Sequence, residues 1–203
     1  LFGVDAIRYY VLHEIPFASD GTITYELIME RINSDLANIL GNLVNRTISM
    51  ANKYFDGKVL NRFVSEGVDN SYIENINSLE ERVEKRMAKL EIGLAIDEIF
   101  ETLRASNKYI DDTMPWSLAK EEEKKERLET VLYNLLEGIR NCAIFLSPYL
   151  PDTSAEILRQ IASNNLDVGY LENEEYHVLE PVPIFMRLDI PKKLAEIEST
   201  KGE

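Results

Sequence analysis

One cysteine, Cys142, excludes a disulfide within the chain, and its place in the apolar run Ile139 to Leu146 reads as a buried core thiol. That usage fits a reducing, cytoplasmic setting. No uninterrupted apolar stretch approaches the ~18 residues of a membrane span, and 45% apolar with 29% charged residues excludes a disordered chain. Basic charge is scarce as well. The 22 Lys and Arg stand against 36 Asp and Glu, a net charge of −14, so nucleic acid cannot be held by blanket phosphate neutralisation. Any such contact must be local. Residues 1–60 carry five basic against seven acidic side chains, which leaves 17 against 29 for the remainder and permits an electropositive surface near Arg46, Lys53 and Lys58. The acidic runs Glu121 to Lys125 and Glu172 to Glu175 read as solvated faces.

Catalytic equipment is equally thin. His13 and His177 are the only histidines and stand far apart, no Ser or Cys sits in a nucleophile-elbow context, and no glycine-rich phosphate loop exists. Neither catalytic residues nor metal ligands are expected, and each histidine reads as a surface or tertiary-contact residue. The opening Leu1-Phe2-Gly3 has no initiator methionine, basic segment or cleavage site, so no signal peptide is expected and the chain reads as part of something longer.

What the chain has in quantity is helical periodicity. Ala6, Tyr9, Tyr10 and Leu12 predict a short first helix, closed by Pro16 and the turn Ser19-Asp20-Gly21. From Tyr25 to Tyr54, apolar residues from Leu27 to Met50 recur at three- and four-residue steps and predict one long helix, ended at Asp56-Gly57. A polar connector at residues 65–77 is expected next. Ser78-Leu79-Glu80-Glu81 matches a capping box and predicts a second long helix to about Tyr109. Pro115 breaks that pattern, Glu121 to Leu146 forms a third, and Thr153-Ser154-Ala155-Glu156 predicts a shorter helix through Ile161. Pro181, Pro183 and Pro191 predict a mostly extended, irregular tail from Leu166. The expected fold is all-α: an antiparallel bundle of about four or five helices with an extended C-terminal tail over it.

Base recognition is the chemistry this inventory leaves open. Asn42 and Arg46, in Gly41-Asn42-Leu43-Val44-Asn45-Arg46, are one helical turn apart and project from one face, with Cβ atoms about 6 Å from each other. An asparagine amide offers donors and an acceptor to a base edge, and a planar guanidinium pairs bidentately or stacks. Trp116, the only tryptophan, follows Pro115, whose fixed φ stiffens the loop. A base stacked on such a ring gains about 1–3 kcal/mol, enough to matter for an acidic domain. From the residues alone, an ordinary polar helix face and a core tryptophan remain open alternatives.

The order of several sequence words resolves that choice. Gly3-Val4-Asp5-Ala6-Ile7-Arg8-Tyr9-Tyr10, Glu14-Ile15-Pro16-Phe17-Ala18-Ser19-Asp20-Gly21, Arg31-Ile32-Asn33-Ser34-Asp35-Leu36-Ala37-Asn38 and the Asn42 segment resemble methionyl-tRNA synthetases of class I. Asn107-Lys108-Tyr109-Ile110, Pro115-Trp116-Ser117-Leu118-Ala119-Lys120 and Pro183-Ile184-Phe185-Met186-Arg187-Leu188-Asp189 continue the likeness. The resemblance implies a three-part division: residues 1–21 end the stem-contact segment, 22–165 form a helical anticodon-binding bundle, and 166–203 form the tail. It further implies that Asn42, Arg46 and Trp116 engage the CAU anticodon of methionine tRNA, above all its first base, with Pro115 shaping the site. Asn38 and Asn107 are outer candidates for which capping or packing competes. Asp5, Arg8, Tyr9 and Tyr10 are expected to be structural.

The family's His-Ile-Gly-His and Lys-Met-Ser-Lys-Ser motifs and its metal-binding insertion are missing from this sequence. No cofactor is therefore expected here; ATP with Mg, and zinc where the family carries it, belong to a catalytic domain of the same parent chain, and this part should be inactive alone. Partners implied are methionine tRNA and that domain, with neither membrane nor DNA. Phe185-Met186-Arg187 departs from the family's frequent Phe-Pro-Arg, which leaves the tail's packing open. The competing reading is a non-catalytic helical adaptor that binds another protein; a class I synthetase for another amino acid fits the Asn42, Arg46 and Trp116 set less well.

Overall fold

The computed structural model of the chain describes residues 1–16 and 20–200. Helix α1 (Val4–Glu14) is followed by α2 (Tyr25–Arg31), which passes without a break into a π-helical segment (Ile32–Gly41) and then α3 (Asn42–Phe55). The expected single helix from Tyr25 is thus continuous but changes hydrogen-bond register, with the Asn42 N–H donating to the Ala37 carbonyl five residues back. Asp56 takes the left-handed exit from α3 at φ 51°. The turn expected at Ser19-Asp20-Gly21 begins outside the described residues.

Several expectations need correction. The polar stretch at 65–77 is not a connector but α4 (Gly67–Asn77), started by a capping box in which Glu66 and Asp69 exchange side chain and backbone. Ser78 is not a cap of α5 (Leu79–Met87): its own backbone is helical and its hydroxyl donates to the Asn75 carbonyl. The second long helix is split, because Leu90 adopts φ 59° between α5 and α6 (Ile92–Thr113). After α7 (Pro115–Leu118) and α8 (Lys125–Leu146), α9 begins at Pro151 and runs to Gln160. Proline supplies that start, since its missing N–H costs nothing in the first turn. Thr153 donates its N–H to Asp5, and Ser154 donates its hydroxyl to the Ala143 carbonyl, so neither makes the expected capping box.

The tail is not extended throughout either. A short strand β2 (Glu175–His177) pairs antiparallel with β1 (Lys58–Leu60), and α10 (Ile190–Thr200) closes the described chain. Between them the tail is held by side-chain amides that imitate a strand partner. Gln160 exchanges two hydrogen bonds with the backbone of Val182, and Asn33 does the same with Leu188. These amides satisfy backbone groups that a proline-rich segment cannot pair in a regular sheet.

Helix α8 is the axis of the bundle, antiparallel to α6, as Asn134 meets Tyr109 and Cys142 meets Ile99. It is buried on every side from Arg127 to Ala143, so its polar residues must find partners in the interior. Arg127 forms a fork with Asp69 at 2.7 and 2.8 Å, and Asp69 also accepts from the Tyr109 hydroxyl. Burial pushes the Tyr109 phenol well above its ordinary pKa, and its bond to Asp69 adds to that. Burial likewise pushes up the Cys142 thiol, which suits the inert core role expected of it.

Tyr72 bonds Ser106 at 2.7 Å, directly against Gly138 of α8. A Cβ at Gly138 would overlap the Tyr72 hydroxyl. Gly138→Ala should therefore lower unfolding stability by about 1–3 kcal/mol through overpacking. Urea unfolding checks this; an unaltered midpoint would contradict the close packing.

The first helix is structural, as expected. Arg8 donates to the carbonyls of Tyr149 and Pro148, Asp5 holds the start of α9, and Tyr9 and Tyr10 are buried. His13 is a tertiary-contact residue, stacked on Tyr9 and bonded to Glu14 and Asp97.

Candidate nucleic-acid interface

Asn42 and Arg46 occupy the first two turns of α3, where the chain has returned to ordinary α-helical register. Asn42 is exposed and Arg46 half-buried, while Leu43 and Val44 between them and Thr47 just after them face the core. This alternation follows from the amphipathic stripe: core residues pin the helix, so the polar pair is presented to solvent. Among the described residues, the side chains of Asn42, Arg46 and Asn38 have no hydrogen bond or ion pair. Arg46 shares that state with Arg187, whereas the other arginines are engaged with carboxylates or carbonyls. In a chain with so large an acidic excess, an unengaged guanidinium beside an exposed amide is unspent binding capacity.

Trp116 sits in α7, 40% exposed, with Pro115 buried at the first position of the helix. The turn into α7 is sharp because Met114 takes a left-handed backbone, φ 45°, an unfavourable conformation for a residue with a side chain. Hydrogen bonds hold it from both sides: Met114 N–H to Ile110, and Ser117 and Leu118 N–H to Met114. The indole therefore stands on a short, fixed element, and none of its polar capacity is used within the described chain.

Two contacts fix how this loop lies relative to α3. Tyr9 donates to Asp35 of the π segment at 2.9 Å, and its ring is 5.2 Å from that of Phe100 in α6. Farther along both elements, Asn107 of α6 donates to the Ile39 carbonyl at 3.1 Å. Asp35 to Ile39 and Phe100 to Asn107 advance the same way, so the π segment and α6 run parallel. Another seven or so residues, ~10 Å of helix, bring one chain to Arg46 and the other to the Met114–Pro115 turn. Asn42, Arg46 and Trp116 thus share one end of the bundle.

They do not share one cavity. A cleft of about 920 Å³ lies between the α2–α3 rod and the tail, with Asn38, Asn42, Asn45 and Arg31 on one wall and Phe185 and Arg187 on the other. Arg46 and Trp116 are not among its lining residues. Four residues at about 100° each turn Arg46 some 40° away from Asn42, while Asn45 turns the opposite way into the cleft. Asn42 is the crest between them. Gly41 lets the tail come close, since a Cβ there would meet the Leu36 and Phe185 carbonyls at 3.1 and 3.5 Å.

Pattern reading missed Asn45, Arg31 and Arg187 as members of this region. Asn45 could have been found from its spacing of one turn to Asn42 and two turns to Asn38; Arg187 comes from a tail whose path no local pattern gives. Asn107 uses both amide hydrogens on carbonyls, Ile39 and Leu103, which is a packing arrangement. Glu174 precedes His177 by three, the interval of a di-metal ligand pair in helix bundles. That interval aligns two side chains only on a helix, and His177 lies on β2 bonded to Glu175 while Glu174 accepts from Asn165.

Comparison with known proteins joins these parts. Residues 1–48 match the family model of class I tRNA synthetases (M), and residues 65–200 match that of the anticodon binding domain of methionyl tRNA ligase. The methionine–tRNA ligase of Clostridium acetobutylicum is 44% identical over the whole chain, which covers 32% of that relative's length. That of Halalkalibacterium halodurans is 39% identical over 99% of the chain and again 32% of the relative. Among solved structures, the apo methionyl-tRNA synthetase of Mycobacterium tuberculosis superposes with a TM-score of 0.85 at 32% identity, covering 93% of this chain and 39% of that one. Its complex with methionyl-adenylate gives 0.84. The chain spans about a third of the length of the curated relatives it matches, and it belongs to the methionyl-tRNA ligase family, in the part that carries the anticodon binding domain.

Proposed function

We propose that this bundle reads the CAU anticodon of methionine tRNA, so that the protein of which it forms a part attaches methionine to that tRNA at the expense of ATP. The observation that carries the proposal is the exposed indole of Trp116 at the same end of the bundle as the unengaged side chains of Asn42 and Arg46. Anticodon bases are unpaired, so their edges and faces are open to such groups. Trp116 stacks a base, Pro115 fixes the ring, and Asn42 and Arg46 take the hydrogen-bonding edge of the first base, cytosine. Asn38 extends the same face by one turn. A changed first base leaves donors and acceptors desolvated without partners, at about 1–3 kcal/mol for each group.

Residues 1–21 are assigned to the end of the stem-contact segment, 22–165 to the bundle and 166–203 to the tail. Binding of methionine and ATP with its Mg is assigned to the remainder of the protein, in a cytoplasmic setting. Because the chain is acidic as a whole and its basic surface is local to Arg46, Lys53 and Lys58, few phosphates are neutralised, and affinity for the loop should fall moderately with salt. Titration of a CAU anticodon stem-loop and its first-base variants into the protein at two salt concentrations tests this. Equal affinity for all loops would remove the proposal.

A further inference from the structure

Asn107 stands one helix away from the proposed reading face, yet its contacts reach the backbone that sets that face. A helix that passes from five-residue back to four-residue hydrogen bonding changes the phase of every side chain beyond the junction. Asn42 N–H still bonds five residues back, to Ala37, while α3 begins at Asn42 itself. The register therefore changes just after Asn42, and the Ile39 carbonyl, in the last turn of the π segment, accepts from the Asn107 amide at 3.1 Å. The second amide hydrogen goes to Leu103 in Asn107's own helix at 3.0 Å, so the side chain is clamped at both ends.

We propose that Asn107 is a positioning residue: by anchoring the Ile39 carbonyl in the last turn before the π-to-α junction, it fixes the rotation at which α3 presents Asn42 and Arg46. This rests on the reading of α3 as the anticodon face, and it assigns Asn107 a role through the backbone rather than a contact of its own with RNA. Each residue added to or removed from the wide turns rotates everything after it by about 100°. A junction free to shift would move Asn42 off the crest between Arg46 and Asn45. The consequence is selectivity, since a misphased Asn42 still lies near the loop but no longer meets the edge of the first base.

The test uses the full-length protein with Asn107→Leu, which keeps the volume and removes both donors, and Asn107→Ala should the first fail to fold. Three quantities are read: affinity for a CAU stem-loop relative to one with a changed first base, the same ratio in an Asn42→Ala background, and hydrogen exchange of the amides from Leu40 to Thr47. The expected result is a fall of about fivefold or more in the ratio, absent once Asn42 is gone, with faster exchange confined to that segment. An unchanged ratio, an equal fall in the Asn42→Ala background, or unchanged exchange would each overturn the proposal. If the unmutated protein itself shows no first-base preference, the anticodon reading fails on its own, and the exchange of Leu40 to Thr47 still decides whether Asn107 holds the junction.

Discussion

Trp116→Ala is expected to weaken binding of the CAU anticodon loop, and charging of methionine tRNA by the full-length protein, by about tenfold or more, since a stacked base contributes about 1–3 kcal/mol. Folding should be little affected. The ring is 40% exposed and carries no hydrogen bond within the described chain, so its loss opens no sealed cavity. Pro115, buried and at the first position of α7, and the hydrogen-bonded Met114 turn keep the loop's path. Circular dichroism and urea unfolding separate the two effects: weaker binding at an unchanged midpoint is the expected pair. Unchanged charging would remove the stacking role, and a large drop in stability would mean that the indole serves the core.

Glu137→Ala should have the largest effect on stability, lowering it by about 3–5 kcal/mol, because it leaves a buried charge without its counterion. Glu137 and Arg140 are fully buried, with Arg140 donating at 3.1 and 2.8 Å. Burial opposes the charge on Arg140, but its hydrogen bonds to Glu137 and the negative charge there outweigh it and hold the guanidinium pKa above its usual value. Glu137 also accepts from the Leu171 N–H and the Tyr176 hydroxyl, and Arg140 donates to the carbonyls of Asn165, Asp167 and Gly169. The pair thus fastens the loop from 165 to 176 to α8. Urea unfolding measures the loss, and hydrogen exchange should show that loop opening first. A midpoint shift of only the size expected for an exposed residue would contradict the burial of the pair.

The helices were legible where one stripe of apolar residues repeats, as in α3 and α8, because burial of that stripe is what forms them. Their junctions were not. The split between α5 and α6 depends on Leu90 accepting a left-handed backbone, and the capping at Ser78 failed because that serine is itself helical. Residues 65–77 look polar because two of the three buried residues of α4, Asp69 and Tyr72, are bonded across the interior, a tertiary reward that no local pattern records. The tail needed partners 127 and 155 residues away, Asn52 for Leu179 and Asn33 for Leu188. At the candidate interface, Asn42, Arg46 and Trp116 could be proposed from sequence because their words resemble a family. The π segment that sets their phase, and the separation of Arg46 from the cleft that Asn42 enters, could not. Family membership also leaves the adaptor alternative without an observation in its favour.

The most direct measurement compares the full-length protein's affinity for two anticodon stem-loops that differ only at the first base, cytosine against uracil. Cytosine should be preferred by about tenfold or more, the equivalent of one desolvated group left unpaired, and Arg46→Ala should erase most of the difference. Equal binding of the two loops, or a preference that survives loss of both Asn42 and Arg46, would contradict the account.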